Sequence, residues 1–173
     1  MIIVRSPLRI SLGGGGTDLP SYYRRRGCMC VSAAIDKYVY VAVMKSFVKP
    51  SIILKYAENE HVTTAGTIQH PIFREALTMM DWDYPQIEIT SLADIPSGTG
   101  LGSSGSFTVA LLHALYQYEN RIVKQGEIAE RACEIEINRL KRSVGKQDQY
   151  ISAYGGIQHM VFNRDDTVEI NPV

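Results

Sequence analysis

Cysteine and histidine are scarce in this chain and net charge is absent, and each shortage removes a class of function. Cys28, Cys30 and Cys133 are its three cysteines. An odd, low number argues against a disulfide framework and makes a reducing cytoplasm the default compartment. Cys28 and Cys30 could face one side of a strand as a thiol or metal pair. No CxxC and no histidine accompanies them, so small buried hydrophobes are the expectation. His61, His70, His113 and His159 are scattered, which suggests no histidine metal cage. Eighteen basic residues balance eighteen acidic ones, so no global field recruits nucleic acid or an anionic membrane, and any phosphate site must be local. No run approaches the roughly 18 apolar residues of a membrane helix. The start, Met1-Ile2-Ile3-Val4-Arg5, lacks the basic residues and long apolar core of a signal peptide. A soluble chain of 173 residues has room for one domain with a real core, burying about 70% of its unfolded surface. Neither an internal repeat nor a low-complexity linker is visible.

Glycine, by contrast, is concentrated. The run Pro96-Ser97-Gly98-Thr99-Gly100-Leu101-Gly102-Ser103-Ser104-Gly105-Ser106 joins a glycine-rich turn to a helix start. Glycines lack Cβ atoms, so Gly98, Gly100 and Gly102 let the chain turn sharply and bring N–H groups against an anion. The unpaired N–H groups and macrodipole of the helix favour negative charge. Ser103, Ser104 and Ser106 are candidate caps, and one hydroxyl could reach a magnesium ion held by phosphates. Phe107, Ala110, Leu111, Ala114, Leu115 and Tyr118 fall on one helical face. A Walker A loop requires Lys before its Ser or Thr, and Gly102 stands there. A dinucleotide fingerprint matches formally at Gly100, Gly102 and Gly105 with Glu119 at a plausible distance, but no convincing second strand surrounds Glu119. A helix cap after a flexible turn is the plain alternative.

Strand-like runs lie at Ile2–Val4, Leu8–Leu12, Cys30–Ile35, Tyr38–Met44, Ile52–Tyr56 and Gln86–Thr90, with a helix at Pro71–Met80. Helices then follow at about Ser104–Tyr118, Glu127–Arg142 and Asp148–Ala153, before strands at Gly156–Phe162 and Thr167–Ile170. Strands first and helices after predict an α+β fold, with helices on one face of a largely antiparallel sheet.

The glycine run resembles, residue for residue, the PxxxGLGSS loop of the GHMP kinases, the family of galactokinase, homoserine kinase, mevalonate kinase and phosphomevalonate kinase. The resemblance implies ATP and Mg2+ as cofactors, with Pro96, Gly98, Gly100, Leu101, Gly102, Ser103, Ser104 and Gly105 around the phosphates. Periodicity through Ala129, Ala132, Cys133, Glu136 and Leu140 places Glu136 on an inward face. A buried charge needs a partner, either a Lys or Arg from elsewhere or magnesium shared with a serine hydroxyl. A rival stripe through Ile128 and Ile135 turns Glu136 outward. The resemblance makes Glu136 rather than Glu134 the metal-binding glutamate, with Ser104 as its companion, although Glu136 stands twelve residues before Asp148 where the family has about eleven. Asp148, in Gly145-Lys146-Gln147-Asp148-Gln149, reads by position as a helix cap. The resemblance makes it the general base, kept ionised by a nearby cation. Arg9 stands where the family carries a catalytic Lys or Arg; by itself it reads as an edge-strand arginine paired with an acid.

Gly13-Gly14-Gly15-Gly16-Thr17-Asp18-Leu19-Pro20 resembles a sugar-binding segment of the family, which implies that Asp18, with Thr17, orients a sugar. Together GGGGTDLPSYY, HPIFREAL and GKQDQ look most like the branch that phosphorylates the anomeric hydroxyl of a heptose phosphate; fucose- and galactose-type 1-kinases are the neighbouring alternatives. Arg24-Arg25-Arg26 reads as a solvated helix end rather than a phosphate clamp. Tyr38 and Tyr40 share a strand face and could border the nucleotide, though buried packing is the simpler expectation. No residue stands out for the adenine. The resemblance spans this whole chain but only the N-terminal half of the family, whose C-terminal ferredoxin-like domain has no counterpart in 1–173, so the chain looks like an N-terminal ATP-binding domain. Because this fold also occurs in RNA-associated proteins, a non-catalytic nucleotide- or RNA-binding module is the rival of another class; it calls for a basic, salt-sensitive surface.

Overall fold

Residues 1–47, 51–82 and 86–173 are described by the computed structural model. Its backbone is a seven-stranded sheet organised by one long strand. β1 (Ile2–Gly13) runs antiparallel along one edge of β2 (Cys28–Lys45), while β6 (Ile157–Phe162) and β5 (Gln86–Ala93) share the other edge end to end. β3 (Ser51–Lys55) pairs with β5 in parallel and with β4 (Asn59–Val62) antiparallel; β7 (Val168–Pro172) pairs antiparallel with β6. The β3–β5 pair is the one parallel contact among the described residues, so the fold is α+β with a mostly antiparallel sheet, as the element order predicts.

Two strands are longer than the sequence reading made them. β2 unites Cys30–Ile35 and Tyr38–Met44 because its register against β1 slips between Pro7↔Tyr38 and Arg9↔Ala34, which lets the exposed Asp36-Lys37 pair bulge out without ending the ladder. β1 likewise unites Ile2–Val4 with Leu8–Leu12. Pro7 is tolerated between them because, among the described strands, β1 pairs with β2 alone, and an edge strand does not need every N–H.

The helices are α1 (Pro20–Arg26), α2 (Pro71–Met79), α3 (Ser103–Tyr118), α4 (Gln125–Cys133) and α5 (Gln147–Tyr154). Of α1 the sequence showed only the basic end, Arg24-Arg25-Arg26, and of β4 nothing. The first is only seven residues, opened by Pro20 and closed by Gly27 at φ 69°; the second buries only Glu60 and so shows no apolar alternation. The helix read at Glu127–Arg142 is interrupted: α4 gives way to a π-helical turn, Glu134–Arg139, in which the Leu140 N–H reaches back to the Ile135 carbonyl.

Inward residues of β2, β3 and β5, such as Val41, Val43, Leu54, Ile87 and Ile89, meet Phe73, Ala76 and Leu77 of α2 and the apolar residues of α3 in one core. α3 is buried nearly all round: Val109, Leu112 and Tyr116 join Ala110, Leu111, Ala114 and Leu115, while Phe107 and Tyr118, read as members of its apolar face, stay half-buried. Each buried Leu here contributes roughly 1.5–3 kcal/mol. Tyr23, Cys30, Cys133, Tyr150, Met160 and Phe162 form a second core under α4 and α5. On the other side of β2, Tyr38 and Tyr40 are half-buried, and the Arg5 guanidinium lies 4.4 Å from the Tyr38 ring. The helical layer covers the opposite face.

Candidate active site

Gly98, Gly100 and Gly102 all adopt positive φ, at 84°, 76° and 76°. These values suit glycine, and they turn the chain from β5 into α3. Gly102 is the N-cap of α3, and no side chain caps the helix; the serines expected as caps do not serve, because each hydroxyl is engaged or placed elsewhere. Ser106 Oγ donates between the carbonyls of Ser6 and Pro7, 2.9 Å from each. Ser104 Oγ donates to the Glu136 carboxylate, and Ser103 faces a cavity of about 350 Å³. The first N–H groups of α3 and the exposed loop at Pro96–Gly100 therefore stand without side-chain caps, which is the arrangement that receives an anion. Leu101 contributes its carbonyl to the Arg9 N–H at 3.0 Å, which ties the loop to β1. The dinucleotide fingerprint fails: Glu119 ends α3 with its N–H on the Leu115 carbonyl, and the next element is α4 rather than a strand.

β1 and α5 bring Arg9 and Asp148 to this loop. Ser6 Oγ donates to the Ser152 carbonyl and Ser152 Oγ to the Pro7 carbonyl, at 3.0 and 3.1 Å, which fixes α5 on β1. Arg9 Nε and Nη2 then both lie 2.7 Å from Asp148 Oδ1, and Nη1 donates to the Gly100 carbonyl at 2.7 Å. A Cβ on Gly102 would sit 3.2 Å from both the Arg9 and Asp148 side chains, so the glycine loop, the arginine and the aspartate touch. Gly105, read as part of the phosphate cradle, is instead buried where α3 crosses α5: a Cβ there would lie 2.8 Å from Asp148 Cβ and 3.1 Å from its backbone carbon. Asp148 is not a helix cap, since Lys146 holds that position and caps with no side chain. Burial pushes the Asp148 carboxyl above its ordinary value, and Arg9 only partly offsets this. The cation expected to keep Asp148 ionised is present, but desolvation outweighs it.

Glu136 is fully buried and faces inward. Ile128 and Ile135 are buried as well; the π-helical turn widens the repeat, so both stripes read from the sequence reach the interior. Thr108 Oγ1 and Gln149 Nε2 lie 3.1 and 3.0 Å from Glu136 Oε1. Oε2 receives the Ser104 hydroxyl and Arg142 Nη1, the latter at 3.2 Å. The partner that a buried carboxylate requires is thus an arginine three residues beyond the π turn. Among the described residues no group of three or more His, Cys, Asp or Glu is placed to hold a metal. A divalent cation here would depend on few protein oxygens and on phosphate oxygens. The hard pair Ser104 Oγ and Glu136 Oε2, in mutual contact at the start of α3, fits that requirement.

Asp18 is buried with its carboxylate engaged inside the protein. Oδ1 accepts the Gly16 N–H at 3.0 Å and Gln147 Nε2 at 3.3 Å, and Oδ2 accepts the Gln147 N–H at 2.9 Å. Thr17 Oγ1 donates to the Gly14 carbonyl at 2.6 Å and lies 2.7 Å from Cys28 Sγ. In this structure Asp18 pins the first glycine cluster to the start of α5, and Thr17 ties it to Cys28 of β2. Cys28 is half-buried and Cys30 buried. Arg24 pairs with Asp166 at 2.8 Å at the end of α1. Tyr38 and Tyr40 are absent from the cavity wall, which is reached from the opposite face of β2 by Val39.

The sequence reading missed the apolar part of that cavity. Tyr56, His70, Ile72 and Phe107 line it, continuing to Ser103, Ser104 and Arg142. The His70 ring packs edge-on to Tyr56 and Phe107, with centroids 4.9 and 5.5 Å away. Burial lowers the His70 pKa below its usual value, against Glu60 and with Arg142. Glu60 accepts the Gln69 and His70 N–H groups at 2.6 and 3.0 Å and so sets the start of α2. The only sequence signal was HPIFREAL itself, a helix opening on His-Pro beside aromatics.

The family model described as GHMP kinases N terminal domain matches residues 64–156, more than half of the chain. The D-glycero-alpha-D-manno-heptose 7-phosphate kinase of Campylobacter jejuni is 29% identical over 184 residues, covering 99% of this chain and 54% of that protein. A galactokinase of Thermotoga petrophila is 31% identical over 96% of this chain and 47% of its own length. The crystal structure of a D-glycero-D-manno-heptose 1-phosphate kinase from Bacteroides thetaiotaomicron superposes with a TM-score of 0.90 at 26% identity, covering all of this chain and 60% of that one. The chain thus spans about half the length of the curated relatives it matches. Set beside the glycine loop, its uncapped helix and the acid–arginine pair against it, the match over 64–156 means that this chain belongs to the GHMP kinase family.

Proposed function

We propose that the chain is the nucleotide-binding, base-bearing half of an ATP-dependent sugar 1-kinase that phosphorylates the anomeric hydroxyl of a sugar phosphate, D-glycero-D-manno-heptose 7-phosphate being the foremost candidate. The observation that carries this is the contact of the glycine loop with Arg9 and Asp148 around Gly102. It sets a general base and a cation beside the place where phosphates are held, which is most of what phosphoryl transfer asks of a protein. Main-chain N–H groups of the loop and of α3 grip the phosphates, and the Tyr56–His70–Phe107 wall takes the base. Asp148 accepts the proton of the attacking hydroxyl, while Arg9 holds its carboxylate in place and faces the transferring phosphoryl group. Ser104 and Glu136 hold Mg2+, which when bound neutralises phosphate charge. Thr17 and Asp18 form the sugar side, Asp18 by fixing the loop and Thr17 by sharing its hydroxyl with the sugar. The galactokinase likeness keeps galactose-type substrates as the second reading.

ATP consumption by the product of the complete reading frame, measured across heptose, galactose and fucose substrates and their phosphates with Mg2+, tests the assignment. Turnover is expected on heptose 7-phosphate. Asp148→Asn is expected to abolish it and to leave nucleotide affinity nearly unchanged in calorimetric titration. Wild-type turnover in that variant removes Asp148 as the base.

A further inference from the structure

Among the described residues Glu136 meets four donors: the hydroxyls of Ser104 and Thr108, the Gln149 amide and the Arg142 guanidinium. Three of these are neutral, so among the described residues the charge that compensates this fully buried carboxylate comes from Arg142. Arg142 Nη1 also lies 2.6 Å from Ser104 Oγ. It therefore grips the same two oxygens, Ser104 Oγ and Glu136 Oε2, that the kinase reading gives to the metal. Its place is built into the backbone: Lys141 takes a left-handed φ of 54°, turning the chain so that the Arg142 N–H bonds to the Glu136 carbonyl at 3.0 Å. Unlike Glu136, the Arg142 side chain is 34% exposed and lines the 350 Å³ cavity with Ser103 and Phe107, so it has space into which to move.

We propose that Arg142 is a resident counter-cation that closes the metal position until nucleotide phosphates enter. This rests on the proposed kinase function. A guanidinium and a divalent cation cannot share Glu136 Oε2 and Ser104 Oγ, because one carboxylate would then face three positive charges in a partly buried site. Metal arriving alone has nothing to offer the displaced arginine. Metal arriving with a triphosphate does, since the displaced guanidinium can pair with a phosphate oxygen across the cavity. The device makes the site select the metal–nucleotide complex over free metal.

Manganese, followed by its electron paramagnetic resonance signal, is titrated into the full-length protein without nucleotide and then with ATP. Wild-type protein is expected to bind Mn2+ weakly alone and strongly with ATP. Arg142→Gln keeps a hydrogen-bonding side chain but removes the charge, and is expected to raise affinity for Mn2+ alone about tenfold or more. Arg142→Lys retains the charge and is expected to stay near wild type, which guards against a mere packing effect. Adding Glu136→Gln to Arg142→Gln is expected to abolish the gain. Unchanged or weaker Mn2+ binding by Arg142→Gln, with ATP-dependent binding intact, overturns the role of Arg142 and leaves the kinase reading standing. Failure of every form to bind Mn2+ even with ATP overturns the metal assignment beneath it.

Discussion

Asp148 shows how far a residue type and its environment can pull apart. As the proposed base it would act only when ionised, yet burial holds its pKa above the ordinary carboxylate value while Arg9 works to lower it. The rate is thus expected to fall on acidification at a higher pH than an unperturbed aspartate would give. Arg9→Met removes the lowering influence, so the acid limb of kcat/KM should move to still higher pH; a limb that stays put or moves down would disconnect Arg9 from Asp148. The sign carries over to stability. A raised folded pKa means that the favourable contribution is complete below the unfolded value and is lost as pH rises through the folded one. Some of this was legible residue by residue: Arg9, Asp148, Glu136 and Ser104 were nameable from spacing and resemblance. Arg142 was not, because nothing in Leu140-Lys141-Arg142-Ser143 tells which of several cations a chain reversal at Lys141 will fold back onto a buried acid.

At the scale of elements, the site depends on how closely α3 approaches α5. Gly105 lies against the first turn of α5, and a methyl group there would meet Asp148 Cβ at 2.8 Å and backbone atoms at 3.1 Å. Gly105→Ala is expected to destabilise the fold by about 1–3 kcal/mol, as overpacking does, read as a lower urea midpoint. Gly66→Ala, with nothing within 4 Å of the added carbon, serves as the control and should shift stability by less than about 0.5 kcal/mol. Equal effects of the two would contradict the tight crossing. The periodicity of α3 was readable because its apolar residues recur at helical spacing. The π turn after α4 was not: a single extra residue per turn leaves both apolar stripes plausible in sequence, and only packing against α2, α3 and α5 makes both of them inward.

For the whole molecule, β2 is the organising strand, bonded along its length to β1 on one side and to β5 and β6 on the other. Its amides at Val39–Val43 are expected to show the slowest native-state hydrogen exchange, with β4 and β7, each bonded to one neighbour, among the fastest strands. Exchange of β2 as rapid as that of β7 would refute this hierarchy. The order of strand-like and helical runs determined the fold class, and the glycine run before a helix carried the resemblance to the family and the expectation of an anion site, because these are local patterns written over neighbouring residues. Tertiary structure alone decided that Tyr56, His70 and Phe107 share a cavity, that Asp18 clasps the start of α5, and that Arg142 rather than a distant lysine neutralises Glu136. Those pairings join residues far apart in the chain or across an irregular turn, where packing and the need to satisfy buried charge, rather than local periodicity, choose the partner.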